Sequence, residues 1–146
     1  VSLEGPKKDG SRQDSKQVKR FDSIPWGTMP EHRELYYREL LSSKEAAEIG
    51  LMVSNVWRER IEPGGAVLPH THDVAEIIHF TEGEVRALLG EEWTECSPGD
   101  TLIVPDGVIH SVENRGDTPS QQVSIFVPVL PDNDGFETYM ANGGAT

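Results

Sequence analysis

From Val53 onward the apolar residues come in short runs, either alternating with polar residues or continuously apolar, and each run is closed by Gly, Pro, Asn or Asp. The runs predict eight β-strands: Val53–Ile61, Val67–His72, Ala75–Phe80, Val85–Leu89, Trp93–Cys96, Thr101–Val104, His110–Glu113 and Val123–Val129. The separators Glu62-Pro63-Gly64-Gly65, Glu82-Gly83, Leu89-Gly90-Glu91, Ser97-Pro98-Gly99-Asp100, Pro105-Asp106-Gly107 and Asn114-Arg115-Gly116-Asp117 all have turn chemistry. Eight short strands suffice for a barrel or sandwich, so the pattern predicts an all-β fold. One short helix is expected, capped by Ser42 with Glu45 three residues on, carried by Ala46, Ala47, Ile49 and Leu51, and ended with the help of Gly50.

The segment Phe21–Tyr37 reads as irregular, since Pro25, Gly27 and Pro30 break it, yet it holds Phe21, Ile24, Trp26, Met29, Leu35, Tyr36 and Tyr37. Apolar side chains this dense are seldom left in water. They predict an extended arm packed on the barrel or on a second subunit. After Pro131 the sequence turns loop-like, with Phe136, Tyr139 and Met140 available to anchor it.

A chain of 146 residues is one domain by length and can bury a core without staples. Charge divides it: residues 1–20 hold six Lys or Arg against three acids and read as a disordered basic leader, whereas residues 21–146 hold seven against twenty-two, a balance of −15. A field of that sign repels phosphate and anionic lipid, which excludes nucleic acid and membrane surfaces as main partners. No apolar run approaches a membrane span, and no secretory signal is expected in the sequence as it stands. Cys96 is the only cysteine, so no intrachain disulfide can form; a reduced, cytoplasmic setting is the expectation.

Two glycine-bracketed segments carry the chemistry. The first places Gly64, His70, His72, Glu76 and Gly83 at the spacing G-x5-H-x-H-x3-E-x6-G; the second places Gly99, Pro105, Gly107, His110 and Asn114 at G-x5-P-x-G-x2-H-x3-N. Three histidines and one carboxylate are the ligand set of a mononuclear metal site. Residues two apart on a strand share a face, so His70 and His72 point the same way, while Glu76 and His110 must reach them across the interior. Three neutral imidazoles and one carboxylate leave a divalent ion near +1, with one or two coordination positions open. Asn114 reads as a turn residue.

These ten positions resemble the two signature motifs of the cupin superfamily, and every specified position matches. The resemblance implies a small antiparallel β-barrel or jelly roll holding one divalent metal on His70, His72, Glu76 and His110, in a homodimer. Fold and metal do not choose a reaction. Histidine and carboxylate ligation with open positions is the pattern of non-haem iron, so an Fe(II) dioxygenase acting on a small chelating substrate is the leading expectation, with Glu76 both ligand and proton acceptor. A non-redox polyketide cyclase, isomerase or lyase using Zn, Ni or Mn is the alternative, and a non-catalytic small-molecule binding protein is a third.

Strand parity sorts the rest. Glu76, Ile78 and Phe80 share one face, so Ile78, Phe80 and Val112 are expected as pocket wall, and His79 is expected to point away. His32 reads as a surface or interface residue. Arg58, Arg60 and Arg86 read as solvated; Gln122 and Ser124 are candidates to orient a substrate; Trp57 and Trp93 read as core or interface.

Overall fold

The computed structural model describes residues 18–130 and 135–141. The leader up to residue 17 and much of the loop-like tail expected after Pro131 lie outside the described residues. A helical turn at Phe21–Ser23 is followed by strands β1 (Gly27–Thr28) and β2 (Arg33–Leu41), helix α1 (Ser43–Glu48), and strands β3 (Asn55–His72), β4 (Ala75–Glu82), β5 (Val85–Leu89), β6 (Glu92–Cys96), β7 (Thr101–Val104), β8 (His110–Glu113), β9 (Ser120–Val127) and β10 (Thr138–Met140). All pairings given by the register are antiparallel, in the order β6-β5-β8-β3-β9-β4-β7, with β2 and β10 on β3 and β1 on β2. The sheet curls into the all-β jelly roll that the motifs imply. Among the described residues, no helix is long and apolar enough to cross a membrane.

β3 departs from the sequence reading. Val53–Ile61 and Val67–His72 were expected as two strands separated by a turn at 62–65, but the structure runs them as one strand of 18 residues. Its first half pairs with β9 from Asn55 to Ile61, and its second half pairs with β8 from Ala66 to His70. The turn chemistry becomes a bend where the strand changes partners. Gly64 supplies a φ of +81°, which an L side chain adopts only with strain. Backbone bonds from Gly64 N to Asn114 O and from Asn114 N to Gly65 O, both 3.0 Å, pin that bend to the end of β8. Asn114 is the turn residue expected: its Nδ2 donates to Ile61 O and Thr118 O, and its Oδ1 accepts from Gly116 N.

The arm is also more regular than its breakers suggested. Past Pro30 the segment Arg33–Tyr37 joins β2 and pairs with β3, with a register shift at Glu34, whose φ is +51°, and Leu35 buried. The earlier part packs on the chain's own sheet, with Phe21 and Trp26 edge to face at 5.9 Å and the Arg38 guanidinium over both rings. The helix has the expected capping box at Ser42 and Glu45, but it ends at Glu48; Ile49 and Leu51 lie beyond it and are exposed. The last long strand begins earlier and ends sooner than expected, at Ser120 and Val127.

Alternation fills the interior. Leu35, Ile61, Val67, Ile78, Phe80, Val85, Ala87, Val104 and Val112 form a contiguous apolar core, each large side chain stabilising the fold by about 1.5–3 kcal/mol. At one end of the curl, where β3 finishes and β4 and β8 begin, the inward positions change from apolar to His and Glu.

Candidate metal centre

His70 and His72 end β3, Glu76 is the second residue of β4, and His110 opens β8. All four are buried, with one ligand atom from each lying within 4.8 Å of the others. Nε2 of His70 and Nε2 of His72 are 3.0 Å apart, and Glu76 Oε1 is 2.9 Å from His110 Nε2 and 3.2 Å from His72 Nε2. The loop before β8 aims His110: Gly107 N donates to His72 O at 2.8 Å, tying Pro105–Gly107 to the end of β3.

The other ring nitrogen of each histidine is held too. His70 Nδ1 lies 2.6 Å from Leu68 O, His110 Nδ1 lies 3.0 Å from Val108 O, and His72 Nδ1 lies 2.9 Å from Thr138 Oγ1. A carbonyl can only accept, so the Nδ1 groups of His70 and His110 carry a proton; the neutral His70 ring presents its Nε2 lone pair inward, and His110 Nε2 shares a proton with Glu76 Oε1. Lone pairs and a carboxylate facing one another at about 3 Å require a cation or shared protons between them. A divalent ion fits this donor set, which could hold one such ion.

The titration properties follow from the same crowding. Burial works against ionisation of Glu76, but hydrogen bonds from His110 and His72 outweigh it and hold the carboxyl well below its ordinary range. For His110, burial opposes protonation, and the Glu76 carboxylate reverses the balance and raises the ring. Burial and the neighbouring His110 and His72 push His70 down to about 3, which keeps it a neutral donor at physiological pH.

Strand parity sorts the neighbours as expected: Ile78, Phe80 and Val112 face inward as part of the buried apolar core, and His79 points outward to Thr101. Arg60 and Arg86 reach Glu62 and Glu113 at the partly exposed surface, and Arg58 reaches Thr81 and Gln121. Trp57 packs against Phe126 and Tyr37, whereas Trp93 is 36% exposed under Arg86, on the surface rather than in the core. His32 corrects its surface assignment. It is half-buried with its ring 5.1 Å from that of His70, its Nδ1 accepts from Leu68 N at 2.9 Å, and burial pushes it down to about 4.

Two features were missed. The first is the C-terminal strand β10, which pairs with His70–His72, so that Thr138 reaches His72 while Phe136 stacks on Phe126 at 4.0 Å and meets the His72 ring edge. The second is Glu59 on β3, 4% exposed, whose Oε1 accepts from Gln122 Nε2 and Ser124 Oγ, each at 2.8 Å. Gln122 and Ser124 therefore face inward and serve Glu59. Burial, with the Glu76 charge, raises Glu59 to about 7. Parity offered a signal, since Trp57, Glu59 and Ile61 alternate with the charged set Arg58, Arg60 and Glu62.

Residues 57–126 match the model of the cupin domain. Germin-like protein 5-1 of Oryza sativa subsp. japonica is 34% identical over 90 residues, covering 56% of this chain and 41% of that protein. Germin-like protein subfamily 2 member 2 of Arabidopsis thaliana is 32% identical with the same coverage. The chain thus spans about two fifths of the length of these curated relatives. Among solved structures, a predicted oxalate decarboxylase from Thermotoga maritima superposes with a TM-score of 0.69 at 22% identity, covering 77% of this chain and 99% of that one. The polyketide cyclase RemF from Streptomyces resistomycificus gives 0.66 at 19% identity and 85% of each chain. At these identities the structures speak for the fold alone. With both motifs complete, their residues gathered at one end of a jelly roll and the domain matched in sequence, residues 57–126 are a domain of the cupin superfamily.

Proposed function

We propose that this chain is a mononuclear metal-dependent enzyme, with His70, His72, Glu76 and His110 as ligands and a small organic molecule with a chelating end as substrate. The observation that supports it is the convergence of three imidazoles and one carboxylate oxygen within 4.8 Å, with the far side of each ring anchored. An Fe(II) dioxygenase is the leading reading, because this ligand chemistry leaves positions for substrate and dioxygen. When bound, the ion would supply Lewis acidity or, as iron, oxygen activation. The chain's own residues hold the ligands in register, and Ile78, Phe80, Val112 and Phe126 keep the surroundings apolar. A non-redox cyclase, isomerase or lyase is the second reading, favoured by Glu59, a buried carboxyl near the ligands that makes its hydrogen bonds elsewhere.

The deciding experiment is elemental analysis of the purified protein, repeated after anaerobic iron(II) loading, with oxygen uptake followed against enolisable diketones and catechols. Near-stoichiometric iron with substrate-dependent uptake supports the dioxygenase; tight zinc, nickel or manganese without uptake moves the reading to the non-redox enzyme. His110→Ala should lose the metal while the sheet stays folded, and His79→Ala should keep it. Full metal content in the first variant refutes the ligand set.

A further inference from the structure

Just before the ligands, β3 falls out of step with its neighbour. Val67 pairs with Val112 and His70 with His110, so three steps along β3 match two along β8, and the surplus falls at Leu68 and Pro69. Proline has no N–H to leave unpaired, but Leu68 has one, and among the described residues no strand register includes it. That N–H donates to His32 Nδ1 at 2.9 Å, while Ser111 Oγ donates to the other end of the same peptide, Val67 O, at 2.7 Å. The segment Met29-Pro30-Glu31-His32 delivers the ring: His32 N donates to Met29 O at 3.0 Å, closing a turn with proline at its second position, and Arg33 then pairs with Ala66. Leu68 in turn offers its carbonyl to His70, whose Nδ1 lies 2.6 Å away. The His32 and His70 rings meet edge to face with centroids 5.1 Å apart.

Resting on the ligand reading above, we propose that His32 is a positioning residue of the metal centre: it holds the Leu68 backbone and, through the Leu68 carbonyl, sets the orientation in which His70 presents Nε2. Pro69 confines Leu68 to extended backbone, so once the Leu68 N–H is held the direction of its carbonyl is set as well. An N–H can only donate and a carbonyl can only accept, so the two rings carry opposite tautomers, with the proton on Nε2 of His32 and on Nδ1 of His70. His32 stands before the stretch 57–126 that matches the cupin domain, so in this reading the arm is part of the centre and not only a cover for the sheet.

The test uses zinc and cobalt(II) on the full chain. His32→Leu removes the acceptor, whereas His32→Asn keeps one, Oδ1, at the branch where Nδ1 stands. By competitive chelator titration His32→Leu should bind zinc roughly 10-fold more weakly, the lower end of what the partners of metal ligands contribute, and His32→Asn should recover most of that loss. The d–d absorption bands of the cobalt(II)-loaded protein should shift in His32→Leu and return in His32→Asn, a change that a merely structural loss of stability would not produce. Wild-type affinity and bands in His32→Leu, or an Asn variant as weak as the Leu variant, overturn the inference and leave the ligand set standing. Wild type that binds neither zinc nor cobalt overturns both. Should His32→Leu fail to fold, the long-range proton–nitrogen correlation spectrum of wild type decides alone: the Nε2–H tautomer is expected for His32 and the Nδ1–H tautomer for His70, and a proton on His32 Nδ1 refutes the proposal.

Discussion

Glu59→Gln keeps the shape of a buried side chain and removes its proton equilibrium, so in the metal-free protein it should change how stability depends on pH. An unfolded glutamate titrates near 4.5, whereas Glu59 in the fold is raised to about 7 by burial and by the Glu76 charge. Below pH 4.5 both states hold the proton and the shift has no effect. Between 4.5 and 7 the unfolded chain is ionised while the fold keeps its proton, so stability falls as pH rises; above 7 the loss is complete and constant. At about 1.4 kcal/mol per pH unit, a span from 4.5 to about 7 amounts to about 3 kcal/mol. Wild type should lose this amount across the window, and Glu59→Gln should not. The assay is urea unfolding of both chelator-treated proteins at intervals from pH 4.5 to 8, reading the difference between them. Any constant offset from altered hydrogen bonds cancels in the pH dependence. A difference that stays flat across the window would refute the account of Glu59 as a buried acid near the ligands.

Two other substitutions probe how the centre and its frame are held. Thr138→Val removes the hydroxyl beside His72 Nδ1 while keeping the side-chain shape, and zinc affinity by competitive chelator titration should fall by roughly 10- to 100-fold; unchanged affinity would make the β10 contact incidental. Gly83→Ala places a methyl 2.9 Å from Pro119 O and Ser120 Cα at a φ of +80°, and should cost about 2–4 kcal/mol in urea unfolding. A loss below 1 kcal/mol would mean that the turn relaxes freely.

The sequence by itself determined what depends on local spacing. His70 and His72 are two residues apart on a strand, Glu76 and His110 stand at motif distances from them, and strand parity alone sends Ile78 and Phe80 inward and His79 out. The capping box at Ser42 and Glu45 was legible for the same reason, since its partners are three residues apart. Asn114 could be read as a turn residue because the turn it closes to Gly116 is local, although its bond to Ile61 is not.

What escaped depends on pairing between distant segments. Pro63-Gly64-Gly65 has the composition of a turn, and only its backbone bonds to Asn114 make it a bend within one strand. Arg33–Tyr37 gains its strand geometry from β3 rather than from its own residues. Thr138 reaches His72 across 66 positions, and Glu59 receives its two donors from 63 and 65 positions away. A charged residue in a strand reads as solvent-facing until the register of its neighbours is known. For Glu59 the interior was decided by β9 laying Gln122 and Ser124 beside it, because the fold supplies the hydrogen bonds that make a buried carboxyl tolerable, and those bonds exist only once the sheet has closed around it.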